Sequence, residues 1–424
     1  MLKSNSDLEN LHYTPLYSFA EIVMGQSPDS KFVNDEQFGS PFLQGNGEFT
    51  TKYPKPIHWV THPGKMAKKG DILISVRAPV GEINIADQDY CIGRGLAAIR
   101  FKNRIDPDYG WYAISFYKGQ INRFAQGSTF LAVNSNDIRS IEIPMLEESE
   151  QLKIAKVLTT VDDAIEQTEA LIRKHQRIKQ GLMQDLLTRG VDASGQLRQV
   201  AKLAPSLYKQ NDDQWIPNEW TIRTIENLSI YVGSGITPKG GSEVYVSEGV
   251  MFIRSQNVTF EGLLLNDVAY IDDKIHRSMC RSEIFPFDVL INITGASIGR
   301  CCVFPDWFGR ANVNQHVCAI RFASPDYYDS NYLSYVLSSW IGQSQIDKLN
   351  AGGNRQGLNY QQLRSFQIPW PEKNERKIIV DILKRNDELF TIEKNNHLKL
   401  LSLKQGLMQD LLTGKVRVNA LLKN

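Results

Sequence analysis

The sequence predicts an α+β chain built as an internal pseudo-two-fold repeat, with two mixed α+β domains joined by two long helices. Three observations carry that prediction. First, QGLMQDLLT at residues 180–188 recurs letter for letter at residues 405–413, a displacement of 225, which also pairs Glu150 with Glu375, Ile154 with Ile379, Leu158 with Leu383 and Asp162 with Asp387. Second, each nonamer ends a long, nearly proline-free stretch with helical periodicity. Third, each such stretch follows about 150 residues of short β-type runs broken by Gly, Pro, Asn and Asp. A duplicated chain suits a target or partner that itself comes in two halves.

The first variable domain, residues 1–149, contains ILISV and LAAIRF and a helical stretch near 109–124. Residues 150–191 form the first long helix. Ile154, Leu158, Val161, Ile165, Thr168, Ile172, His175, Lys179, Leu182 and Leu186 recur in alternating steps of four and three, the seam of a coiled coil interrupted by polar residues. Pro144 precedes this helix and Arg189-Gly190 closes it. Residues 192–218 lack periodicity and read as a turn, a short ordered piece and a linker. The second variable domain, residues 219–374, carries VMFIRS, DVLINIT and VCAIRF. Its alignment with the first is direct in places: AIRF at 98–101 returns at 319–322. Residues 375–416 form the second long helix, with Ile378, Ile382, Leu389, Ile392, Leu400, Leu403, Leu407 and Leu411 as its expected stripe, and residues 417–424 are a tail. Helices this long exceed what either domain needs, so the two are expected to bury their stripes on each other. Gly181 and Gly406, inside the nonamer, each cost about 1 kcal/mol relative to Ala. A close backbone approach is the expected compensation.

With 42% hydrophobic and 22% charged residues, the 424-residue chain has ordinary globular composition. No run approaches a membrane span and the first residues lack the apolar core of a signal peptide, so a cytoplasmic protein with no membrane partner is expected. Five cysteines without CxxC spacing point to reduced, mostly buried thiols and no metal site. Lys+Arg against Asp+Glu stands at 15 to 17 over residues 1–149 and 13 to 17 over 211–374, but 10 to 7 over 150–210 and 10 to 6 over 375–424. The variable domains are thus mildly acidic, and nucleic-acid binding by them needs a local basic face.

No catalytic constellation stands out. The chain has no Walker A loop, no Asn/Asp-Pro-Pro-aromatic loop for amino methylation, and no complete GxGxxG, so no cofactor is expected. The adjacent pairs Asp162-Asp163 and Asp272-Asp273 read as solvated. What remains is recognition hardware: amide-rich segments such as PFLQGNGEF (41–49), MFIRSQNVTF (251–260), TGASIGR (294–300), NQHV (314–317) and AGGNRQGLN (351–359), at the ends of apolar runs. Asn and Gln can read adenine and Arg guanine. Arg254, Asn257, Arg355 and Gln356 are the expected DNA contacts of the second domain, with Gln44, Asn46 and Thr129 as counterparts in the first. Gly181, Leu182, Met183, Gly406, Leu407 and Met408 are the expected partner-docking positions.

Strand, glycine loop, Ile-Pro, acidic lead-in, long helix and QGLMQDLLT, all occurring twice, resemble the specificity subunit of type I restriction-modification enzymes. IEIPMLEESEQLKIAKVL (141–158) and FQIPWPEKNERKIIVDIL (366–383) look like that family's conserved helix starts, and DQWIPNEWTIRTIENL (213–228) like the lead-in of its second target recognition domain. The first copy, LHYTPLYSFAEIV, lacks the Trp-Ile-Pro-x-x-Trp lead-in. The resemblance implies two target recognition domains, each reading half of a bipartite double-stranded DNA site, spaced by an antiparallel helix pair. It also implies two methyltransferase subunits that bind S-adenosylmethionine and methylate adenine, and restriction subunits in the full complex, with the chain itself non-catalytic. A coiled-coil scaffold whose two heads bind non-DNA partners is the alternative from another class.

Overall fold

The fold is described from a computed structural model, for residues 12–102, 105–121, 132–211, 214–350 and 357–418. The chain forms two compact units, residues 1–169 with 395–424, and residues 170–394. Each unit therefore holds one variable domain, the start of the long helix that follows it, and the end of the other copy's long helix.

In the first unit, a four-stranded antiparallel sheet has the spatial order Ala20–Met24, Leu96–Phe101, Ile72–Ser75, Ile83–Ile85. A five-stranded sheet beside it contains the parallel pair Ser40–Leu43 and Tyr90–Ile92. The second unit repeats both features, with Ser229–Ser234, Val317–Phe322, Val289–Asn292 and Cys301–Val303 in one sheet and the parallel pair Val250–Ile253 and Ala311–Val313 in the other. Even the register repeats: Ala98 faces Leu73 and Ala319 faces Leu290. A buried Asp–Arg fork ties each sheet, Asp71 with Arg100 at 2.8 Å and Asp288 with Arg321 at 2.7 Å. Part of the stretch expected as linker is a hairpin, Tyr208–Asn211 against Gln214–Pro217. The first copy closes its domain without the Trp-Ile-Pro lead-in, because Tyr13–Pro15 pairs with Glu142–Pro144 as Thr221–Thr224 pairs with Gln367–Trp370.

The long helices span Glu148–Leu186 and Lys373–Leu412. Within each unit their segments pack antiparallel. In the first, Asp162 meets Lys404 at 2.7 Å and Glu169 lies 3.9 Å from His397; in the second, Lys179 meets Asp387 at 2.7 Å while Val191 N donates to Glu375 at 2.9 Å. Lys179 and Lys404 are 225 apart, as are Asp162 and Asp387, so one ion pair is built twice. Each Asp also accepts a tyrosine hydroxyl at 2.7 Å, from Tyr112 and Tyr335 respectively. Asp162 is therefore a buried-face acceptor, which corrects its reading as a solvated carboxylate; Asp272 caps the helix Asp273–Ser278, and Asp273 pairs with Arg310.

The seam of the first helix is buried or half-buried as its periodicity predicts. The second differs. Leu389, Ile392 and Leu403 are exposed, while Ile379, Leu383, Asn386, Phe390, Glu393, His397, Leu400, Lys404, Leu407 and Leu411 turn inward. That set is the first helix's seam displaced by 225, so the register was inherited even where its residues became polar.

The nonamers close the other copy's core. Leu186 and Leu187 join the core of the second domain with Trp220, Ile368 and Leu383, and Leu411 and Leu412 join that of the first with Tyr109, Ile143 and Leu158. Full burial of such a side chain is worth about 1.5–3 kcal/mol. Gly190, predicted to stop the first helix, has φ +63°, and a Cβ there would collide with Glu375 and Trp220. No helix among the described residues is long and apolar enough to cross a membrane.

Candidate nucleic-acid interface

Strand direction gathers the polar segments at one end of each domain. Strands 40–43 and 90–92 run parallel, and Met24 and Ser75 flank the start of the strand Leu96–Phe101, so loops 25–29, 44–49, 76–82 and 93–95 share one edge. By the same pairings loops 235–241, 254–257, 293–300 and 314–316 share the equivalent edge of the second domain. The chain also arrives there just before the last small helix, through Val133 N to Val76 O at 3.0 Å and Leu358 N to Ile293 O at 2.8 Å.

Glycine packs these loops backbone to backbone. A Cβ on Gly25 would strike the carbonyls of Ile92 and Gly93, and one on Gly235 the carbonyl of Val313. A Cβ on Gly93 or Gly95 would fall 2.9 or 3.0 Å from Gln44 O. Such close approach leaves little room for the turns to adapt.

Gln44 is exposed and Asn46 half-buried, opening the short helix Asn46–Glu48. The buried Glu48 carboxylate accepts from Gln44 N and Gly45 N, both at 3.3 Å. Asn257 does the same in the second domain: its Oδ1 accepts from Arg254 N at 2.9 Å, and its Nδ2 donates to Leu264 O at 2.9 Å and Asp267 O at 3.1 Å. It is only 1% exposed. Asn257 shapes its loop with all three of these bonds, as its acidic counterpart does with two. Arg254 Nη2 donates to Asp267 O and Oδ2 at 2.7 and 3.1 Å and the guanidinium lies against Tyr245, so that nitrogen is committed within the loop. Thr129, Arg355 and Gln356 lie outside the described residues.

Sequence reasoning did not single out four exposed cations on these edges, Arg77 and Arg94 in the first domain and Lys239 and Arg300 in the second. They supply local positive charge that regional charge totals hide. Nearby carboxylates are engaged: Glu48 by backbone, Asp29 by Lys31, Glu82 by Lys118 and Asp267 by Arg254. Arg94 and Gln315 lie four residues before each AIRF, so the repeat could have located the turn. Its exposed tip needed the fold.

On the helices, Leu182, Met183, Leu407 and Met408 are half-buried against the cores, whereas Gly181 and Gly406 are exposed, with no atom within 4 Å of an added Cβ. The expected close approach to these glycines is absent within the described residues.

Two mixed domains thus present matching loop edges on one repeated framework. Comparison with known proteins agrees. A sequence profile of the type I restriction modification DNA specificity domain matches residues 16–174 and 217–402, and the chain belongs to that family. It is 43% identical over 171 residues to the putative MjaX specificity subunit of Methanocaldococcus jannaschii, covering 40% of each chain. It is 24% identical over 412 residues to the MjaVIII specificity subunit of the same organism, covering 95% of this chain and 92% of that one. The crystal structure of the type I restriction-modification S subunit from M. genitalium shares the fold, with TM-score 0.62 and 15% identity over 97% of this chain and 98% of that one.

Proposed function

We propose that this chain is the sequence-recognition subunit of a type I restriction-modification complex, each variable domain reading one half of a bipartite double-stranded DNA site. The observation that carries the reading is the loop edge built twice on the same strand framework with different exposed side chains. A conserved platform with variable tips suits two related but distinct sequences. The long helices set the unread spacing and dock two methyltransferase subunits, with restriction subunits joining the full complex. Cofactor chemistry then belongs to those partners, and the chain contributes recognition alone.

Gln44 and Asn46, on the first edge, remain candidate contacts. Arg254 contributes only if DNA draws it from Asp267, and Asn257 acts through loop shape. On the helices, Gly181 and Gly406 offer bare backbone to a partner helix, a close approach that none of the described residues makes. Leu182, Met183, Leu407 and Met408 support that surface from beneath.

Fluorescence anisotropy with duplex DNA, with and without the methyltransferase subunits, tests the reading. Tight, sequence-dependent binding should require the partner, and methyl incorporation should be absent without it. Turnover by the isolated chain, or an assembled complex with no preference for any duplex, would refute it.

A further inference from the structure

The turn between the parallel-pair strand and the strand that ends in AIRF is rigid in both domains. In the first it is Gly93-Arg94-Gly95, pressed on one side by Gly25 and on the other by the Gln44 backbone. Gly93 N donates to Leu43 O at 2.8 Å and Val76 N to Gly95 O at 2.9 Å, so both flanks are tied to neighbouring loops. In the second it is Asn314-Gln315-His316. Here Asn314 N donates to Ile253 O at 3.0 Å, Ile293 N to His316 O at 2.9 Å, and Gly235 closes on Val313. The framework is the same bond for bond. The exposed tip differs: Arg94 in one domain, Gln315 in the other.

Gln315 is held ready. Its Oε1 accepts from Thr237 Oγ1, and its Nε2 lies 3.1 Å from His316 Nε2, while His316 Nδ1 lies 2.5 Å from Thr294 Oγ1. With the imidazole proton on Nδ1, Gln315 donates one N–H to His316 and keeps the other. One lone pair on Oε1 is also left. That residual donor–acceptor pair matches the N7/N6 edge of adenine, and the exposed guanidinium of Arg94 matches the O6/N7 edge of guanine.

We propose that Arg94 and Gln315 are equivalent specificity-determining residues, Arg94 reading a guanine in the half-site of the first domain and Gln315 an adenine in that of the second. The inference rests on the DNA-recognition reading above. It assigns one base position in each half to one named side chain.

Reciprocal exchange tests it. The modification locus is expressed with the wild-type chain, with Arg94→Gln and with Gln315→Arg, and the methylated motif is read from each genome. Arg94→Gln should replace guanine by adenine, or lose the requirement, at one position of one half-site; Gln315→Arg should do the converse in the other half. Binding of the purified complexes to single-base variants of the site should show discrimination at that position falling about 10- to 100-fold, with other positions unchanged. Both residues are exposed, so the melting temperature of each complex should stay at the wild-type value. Unchanged motifs would overturn the assignment while leaving the functional reading intact. So would equal weakening on every single-base variant, the signature of a phosphate contact. A wild-type chain that yields no bipartite motif would instead remove the functional reading itself.

Discussion

Replacing Glu375 by Ala should destabilise the second unit by about 3 kcal/mol, because one carboxylate there organises the end of one helix, the start of the other and the domain lead-in. Its oxygens accept from Val191 N at 2.9 Å, Trp220 Nε1 at 3.1 Å, and both terminal nitrogens of Arg198, one at 3.1 Å. Both charged side chains are only 10% exposed. Removing one partner of a buried pair costs about 3–5 kcal/mol, since the remaining charge is stranded. Arg198 keeps Glu219 at 2.7 Å and Arg189 O at 3.1 Å, which places the expected loss at the low end of that range. The equivalent Glu150 pairs with Arg417 at 2.7 Å, but Arg417 is 29% exposed and can turn toward water, so Glu150→Ala should cost about 1–2 kcal/mol. Urea unfolding followed by tryptophan fluorescence and by hydrogen exchange at Val191 measures both variants. The doubly apolar Glu375→Leu/Arg198→Met chain should recover much of the loss, because neither charge then remains buried alone. A Glu375→Ala loss below about 1 kcal/mol, or one no larger than that of Glu150→Ala, would refute the argument from burial.

Gly181→Ala and Gly406→Ala should each stabilise the free chain by about 1 kcal/mol, as open helix positions do, while weakening assembly with the methyltransferase subunits; titration of assembly against thermal stability separates the effects, and stabilisation with unchanged assembly would remove these glycines from the docking surface. Asn257→Ala should lower the melting temperature together with DNA binding, since loop 254–257 loses three bonds; a binding loss at constant melting temperature would return Asn257 to the base contacts. Under native conditions an aromatic disulfide reagent should modify Cys280 alone: it is exposed, whereas burial pushes the Cys301 and Cys318 thiols up to about 12 and raises those of Cys91 and Cys302. Rapid reaction of more than one thiol would show a looser core. One heptad added to both long helices should lengthen the spacer by about three base pairs, since seven residues add roughly 10 Å; an unchanged spacer in an active complex would show that the helices are not the ruler.

The duplication was legible because identical residues survive where the same packing is needed twice. Leu186-Leu187 and Leu411-Leu412 fill equivalent cores, and Glu150 and Glu375 each hold an arginine, Arg417 and Arg198, although the two arginines are not themselves 225 apart. The second helix shows where hydrophobicity alone misleads. Leu389 and Ile392 look like seam residues, yet the seam passes through Asn386, Glu393 and Lys404, as the displacement of 225 requires. At the loop edges the strand ends were legible and the roles were not. Asn257 looks like a base reader in isolation, but its alignment with buried Glu48 exposes it as a loop brace. That equivalence involves a one-residue insertion, which only backbone hydrogen bonding reveals. Nor could sequence alone show that a Cβ at Gly181 meets open space while one at Gly235 meets a carbonyl.

The most direct test of the central claim is a motif determination after domain exchange. Residues 1–149 are replaced by the corresponding domain of a relative, and adenine methylation is mapped across the genome of a host carrying the methyltransferase. The expected result is a bipartite motif in which one half changes to that of the donor and the other half is retained. A motif altered in both halves, or one continuous site with no unread spacer, would contradict it.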